Sequence, residues 1–121
     1  MAVVRYLVDN VDAAVTFYTK HLSFTLERRM GAPFAIVVRG DLTLWLSGPQ
    51  SSAARPMPDG RRPEPGGWNR FVVHVDDLLS TVEELKKAGI RFRNEIVIGP
   101  GGKQILIEDS AGNPIELFQA V

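Results

Sequence analysis

The sequence predicts an α+β fold built from two tandem βαβββ units that together enclose a concave cleft. Two observations carry this. The two halves of the 121-residue chain repeat one another, and each half offers an alternating segment, a segment of helical spacing and three further strand candidates. A third separates the halves: Pro49, Pro56, Pro58, Pro63 and Pro65, with Gly60, Gly66 and Gly67, fall in one stretch that has no apolar period. The organisation is therefore a first unit over 1–48, a linker loop over 49–68 and a second unit over 69–121. A structureless loop this long in so small a chain is unusual and tends to serve as a lid, a partner contact or a true linker.

Each element follows from its pattern. Val4, Tyr6 and Val8 alternate with Val3, Arg5 and Leu7, and Phe71, Val73 and Val75 alternate with Arg70, Val72 and His74, as strands should. Asn10 and Asp77 stand where helix N-caps belong. Behind them Val11, Ala14, Val15, Tyr18 and Leu22, and then Leu78, Thr81, Val82, Leu85 and Ala88, keep helical spacing, with Gly89 as a stop signal. Strands are expected at about 24–29, 34–39 and 42–47, and again at about 91–98, 103–108 and 114–119. Gly40-Asp41 and Gly112-Asn113 read as hairpin turns. The repeat sets Val8, Asp9, Asn10, Val11 and Val15 on Val75, Asp76, Asp77, Leu78 and Val82, and GDLTLWL from Gly40 on GNPIELF from Gly112. One four-stranded sheet with one helix leaves a face uncovered, so two units are expected to pair around a cleft.

Composition excludes several classes. Fourteen Lys and Arg balance fourteen Asp and Glu, so no net field draws the chain to nucleic acid or to an anionic membrane. The absence of cysteine removes disulfides, zinc–thiolate sites and thiol nucleophiles. No run of 18 apolar residues and no basic, then apolar, N-terminal segment is present, which makes a cytoplasmic location the expectation.

The repeated βαβββ unit, the block VDAAVTFYTKHLSF in the first half and EDSAGNPIEL near the C-terminus resemble the vicinal oxygen chelate superfamily. That superfamily contains glyoxalase I, extradiol dioxygenases, fosfomycin-modifying enzymes and bleomycin-binding resistance proteins. The resemblance implies an incompletely closed eight-stranded barrel, with up to four metal ligands near the starts of the first strands and on the last strands of the units. Those ligand positions fall on Val3, Leu44, Arg70 and Glu116. Valine and leucine offer no lone pair, arginine is cationic, and one carboxylate cannot hold a divalent ion against water. No cofactor is therefore expected, the alternative being one divalent ion involving Glu116.

With those positions facing inward, period two brings Arg5, Leu7, Leu42, Leu46, Val72, His74 and Phe118 to the cleft and sends Tyr6, Trp45, Val73 and Leu117 under the helices. Arg70 and Glu116 are expected to form a guanidinium–carboxylate pair where a metal would stand. His74 is a candidate general base and Glu116 a candidate proton carrier. Gln104 and Glu108 alternate with Ile105 and Ile107 and so share the open face, while Trp68, Phe34 and Phe118 could stack on a flat ligand. His21, near a helix end, is assigned to the helix dipole and solvent.

Two function classes follow. The first is a binding or sequestering protein whose metal-free apolar cleft holds a small aromatic or amphipathic molecule bearing a polar or anionic group, with Arg5 and Arg70 orienting it. The alternative is a glyoxalase-like lyase or isomerase, metal-dependent or using His74 and Glu116 in acid–base work. A bleomycin-type role is disfavoured because a cationic drug favours an acidic groove. Sheet edges that need protection point to a homodimer.

Overall fold

The computed structural model describes residues 2–121. The chain divides into a first compact unit that ends at Gly66 and a second, Gly67–Val121. Each is a four-stranded sheet carrying one helix, which is the α+β repeat of two βαβββ units expected from the sequence.

In the first unit β1 (Ala2–Leu7) leads through α1 (Val11–His21) to β2 (Thr25–Met30), β3 (Phe34–Arg39) and β4 (Leu42–Ser47). The sheet order is β1-β4-β3-β2, with β1 and β4 parallel and the other pairs antiparallel. Asn10 starts α1 as expected, its Oδ1 accepting from the Ala13 N–H at 3.0 Å. Val11, Ala14, Phe17 and Tyr18 form the buried face of α1, which lies against β2, β3 and β4, and Tyr6, Ala35, Val37, Leu44 and Leu46 are the buried apolar residues of the sheet.

The pairing register fixes which side chains share a face. Arg5 is level with Trp45, and Trp45 with Ile36. Tyr6 is level with Leu46, and Leu46 with Ala35. Leu44 and Leu46, both fully buried, therefore belong to the helix-covered face, and Thr43, Trp45 and Ser47 to the opposite one. This corrects the expectation that Leu42, Leu44 and Leu46 share a face with Arg5 and that Trp45 lies under the helix. The sequence repeat sets this strand one residue out of its true register, and on a strand a slip of one residue exchanges the faces. Trp45, not Leu44, is the counterpart of Glu116, because Arg5 pairs with Trp45 as Val72 pairs with Glu116.

After β4 the chain has almost no regular structure as far as Gly66, apart from one turn of 3₁₀ helix at Ser52–Ala54. Its start is tied down: the Gly48 N–H donates to the Pro33 carbonyl at 2.8 Å, and both the N–H and the hydroxyl of Ser51 donate to the Gly48 carbonyl.

In the second unit β5 (Val72–His74), α2 (Leu78–Lys87), β6 (Val97–Gly99), β7 (Gly102–Glu108) and β8 (Pro114–Ala120) repeat the pattern in the order β5-β8-β7-β6. Asp77 caps α2 through the Ser80 N–H, and Gln119 Oε1 on β8 accepts from the Leu78 N–H at 2.8 Å. Gly89, at φ +79°, takes the left-handed turn that ends the helix. Leu78, Val82 and Leu85 on α2 are buried, as are Val73, Ile105, Ile107, Ile115 and Leu117 on the sheet.

The strand expected over 91–98 is the second correction. Phe92 makes a single bridge to Ile107, the Asn94 side chain then accepts from the Leu106 N–H, and regular pairing resumes only at Val97. A side-chain amide oxygen thus takes the place that a strand carbonyl would have held. The EDSAGNP segment closes around Asp109, which is buried and whose carboxylate accepts from the Ala111 and Asn113 N–H groups and from the Asn113 amide. No helix among the described residues is long and apolar enough to cross a membrane.

Candidate functional site

On the face of the first sheet away from α1, side chains stand in rows across the strands. One row is Arg5, Trp45, Ile36 and Arg28; the next is Leu7, Ser47, Phe34 and Met30. The Arg5 guanidinium lies 5.0 Å from the centre of the Trp45 ring, and its Nη1 donates to Ser47 Oγ at 3.2 Å. Ser47 is wholly buried, and Phe34 meets Trp45 edge-on with ring centres 5.7 Å apart. Arg5, Met30, Pro33 and Phe34, together with Gln50, Ser51 and Ser52 from the anchored start of the long loop, line a cavity of about 380 Å³. Among the described residues no carboxylate lies within 4.0 Å of the Arg5 guanidinium.

The second unit treats its arginines differently. Arg70 donates from Nε and Nη2 to Glu116 Oε1, at 3.1 and 2.8 Å, and from Nη1 to the Trp68 carbonyl. The expected Arg70–Glu116 pair is thus present, with the carboxylate the less exposed partner. Arg93 makes a second such arrangement. It donates to Glu108 Oε2 at 2.8 Å and to the carbonyls of Gly67 and Gly112, and its guanidinium lies 4.6 Å from the centre of the Trp68 ring. Trp68, 68% exposed, is therefore held by a cation on one face. Glu108 also has Arg91 at 3.6 Å.

Among the other predicted residues, Val72 and Glu116 share one row of the open face of the second sheet, and His74, Phe118 and Gln104 share the next. His74 is exposed and meets the Phe118 ring edge-on at 5.5 Å. Leu44 and Leu46 are excluded from any open-face site by their position under α1. His21 packs beside Phe17, and its pKa is lowered by burial and by the neighbouring Lys20 charge.

Sequence reasoning missed Trp45, Met30, Pro33, Gln50, Ser51, Ser52 and the anchoring role of Arg93. One signal was available for Trp45: the turn between the last two strands is Gly40-Asp41 in the first unit but runs from Asp109 to Asn113 in the second, so the repeat must shift there. The loop residues carry no such signal, since the tie between Gly48 and Pro33 brings them to the cavity.

The positions that the resemblance assigns to metal ligands, with the strand corrected, hold Val3, Trp45, Arg70 and Glu116. These residues do not fit a metal ion. Two lack donor atoms suited to one, the third is a cation, and the single carboxylate already receives that cation on Oε1. Among the described residues no three His, Cys, Asp or Glu side chains gather as a metal centre would require.

A comparison with curated proteins finds no match. Solved structures resemble the chain over nearly its whole length. A lactoylglutathione lyase from Agrobacterium tumefaciens is 21% identical with a TM-score of 0.75, the match covering 98% of this chain and 92% of that one. The antibiotic-binding protein TnmS3 from a Streptomyces species is 22% identical with a TM-score of 0.73, covering 98% and 93%. A bleomycin-binding protein from Streptomyces verticillus, solved with copper(II)-bleomycin, is 21% identical with a TM-score of 0.66, covering 99% and 95%. At these identities the likeness speaks for the fold. The family model of the Glyoxalase/Bleomycin resistance protein/Dioxygenase superfamily matches residues 1–117, and the chain belongs to that superfamily.

Proposed function

We propose that this protein binds and sequesters a small, largely apolar molecule and does not use the metal chemistry of its superfamily. The observation that carries the reading is the cavity on the first unit, where Met30, Pro33 and Phe34 supply apolar wall and only a few polar groups converge. Ligand pockets have this make-up. The donor set at the superfamily's metal positions supports the second half of the reading. The names of structural relatives include binders of antibiotics as well as a lyase, so the choice between those classes rests on the residues of this chain.

The reading includes assembly as a homodimer. All six residues of the edge strand β2 are exposed, including Leu26 and Met30, and an open strand edge with apolar side chains is a surface that a second copy would cover.

The test is a ligand screen by thermal shift on purified protein, together with metal analysis. The reading expects stabilising aromatic or amphipathic compounds whose effect is lost in Phe34→Asp, no stoichiometric transition metal, and melting unchanged by EDTA. Hits indifferent to Phe34→Asp, or about one metal ion per chain, would overturn it.

A further inference from the structure

The geometry points to Arg5 as an anion anchor, and to a small organic acid with an apolar or aromatic body as the ligand of the first-unit cavity. This inference rests on the binding reading above and names the ligand class for that site.

Three features of Arg5 support it. A guanidinium has five N–H donors, and the structure commits one nitrogen, Nη1, to Ser47 Oγ. The Nε–Nη2 edge, the side-on fork that matches two carboxylate oxygens, is left for a ligand. Next, the head group is already positioned: the Trp45 ring lies against it, and the buried Ser47 hydroxyl fixes one end. A pre-placed fork loses less freedom on binding than a mobile one. Finally, its charge is unmatched. Arg29 has Asp12, Arg70 has Glu116 and Arg93 has Glu108, whereas no described carboxylate reaches Arg5. A cation in the wall of a cavity that Met30, Pro33 and Phe34 also line, beside the neutral polar Gln50, Ser51 and Ser52, selects a molecule with an anionic head and an apolar body.

Trp45 supplies the readout. In a Trp68→Phe background it is the sole tryptophan, and its fluorescence reports on the neighbouring guanidinium. The probes are 4-phenylbutyrate and its neutral isostere 4-phenylbutyramide, titrated into the full-length protein. The inference expects the acid to bind at least tenfold more tightly than the amide. Arg5→Met should abolish the preference for the acid over the amide, and Arg5→Lys, which keeps the charge but loses the fork, should leave a smaller one. Equal binding of acid and amide to the protein with Arg5 intact, both lost in Phe34→Asp, would overturn the anchor and leave the binding reading standing. Binding of neither probe at millimolar concentration, or binding indifferent to Phe34→Asp, would overturn both.

Discussion

The two units share a fold but use the arginines beside their open sheet faces differently. At equivalent places on the sheet, the first unit has Arg5 beside Trp45 and the second has Val72 beside Glu116. In the second unit Arg70 is engaged by a carboxylate and one backbone carbonyl and Arg93 by a carboxylate and two, and they fasten the segment around Trp68 to the sheet. In the first unit Arg5 has a hydroxyl and an aromatic face but no counter-charge, and a cavity lies next to it. An arginine beside an open sheet face thus becomes structural or available for binding according to what its neighbours leave unsatisfied.

The comparison can be broken most severely at a turn. Gly102 opens β7 at φ +152°, and an added Cβ would fall directly on the Gln119 carbonyl oxygen, whereas Gly31 in the corresponding turn of the first unit meets only the edge of the Pro33 ring at 3.5 Å. Gly102→Ala should cost about 4 kcal/mol or more, most of the stability of a small domain, and Gly31→Ala about 1 kcal/mol from its positive φ alone. Urea melts of the two variants check this.

Next in size is Arg93→Met, expected to cost about 2–4 kcal/mol because it strips Glu108 and two backbone carbonyls of a shared donor. The corresponding loss for Arg5→Met should be below about 1 kcal/mol, because no carboxylate is abandoned. Denaturant unfolding of both variants measures the contrast.

A double-mutant cycle with Arg70→Met and Glu116→Gln should give a coupling of about 1–2 kcal/mol, moderated by the partial exposure of the arginine. Simple additivity of the two substitutions would show that the second unit does not spend this arginine on a structural pair.

The smallest effect separates the helix ends. Ser23 sits at φ +59° after α1, where the second unit uses Gly89 after α2. Ser23→Gly should therefore stabilise the protein by about 0.5–1 kcal/mol, read as a raised melting temperature.

What the sequence displayed was local. Asn10, Asp77 and Gly89 announce helix ends by side-chain chemistry acting within a few residues, and both helices are found where that chemistry places them. The Arg70–Glu116 pair was legible because the repeat aligns correctly around β5 and β8. Faces on β4 were not, because they depend on the parity of a turn length, and Leu44 and Trp45 exchange roles when that parity changes. The segment after Phe92 defeated the strand reading because Asn94 bonds the neighbouring strand through its side chain. The cavity was illegible because Gln50, Ser51 and Ser52 reach it only through a contact between Gly48 and Pro33, distant in sequence.

Arg5 of the first unit is thus available to a ligand, whereas Arg70 and Arg93 of the second are committed to structural pairs. Arginine Nε–Hε resonances, assigned by substitution and followed by NMR during titration with 4-phenylbutyrate, test it most directly. The account predicts that the Arg5 signal shifts and saturates together with the Trp45 indole signal, while those of Arg70 and Arg93 stay in place. A saturable shift at Arg70 or Arg93 with Arg5 unmoved would contradict it.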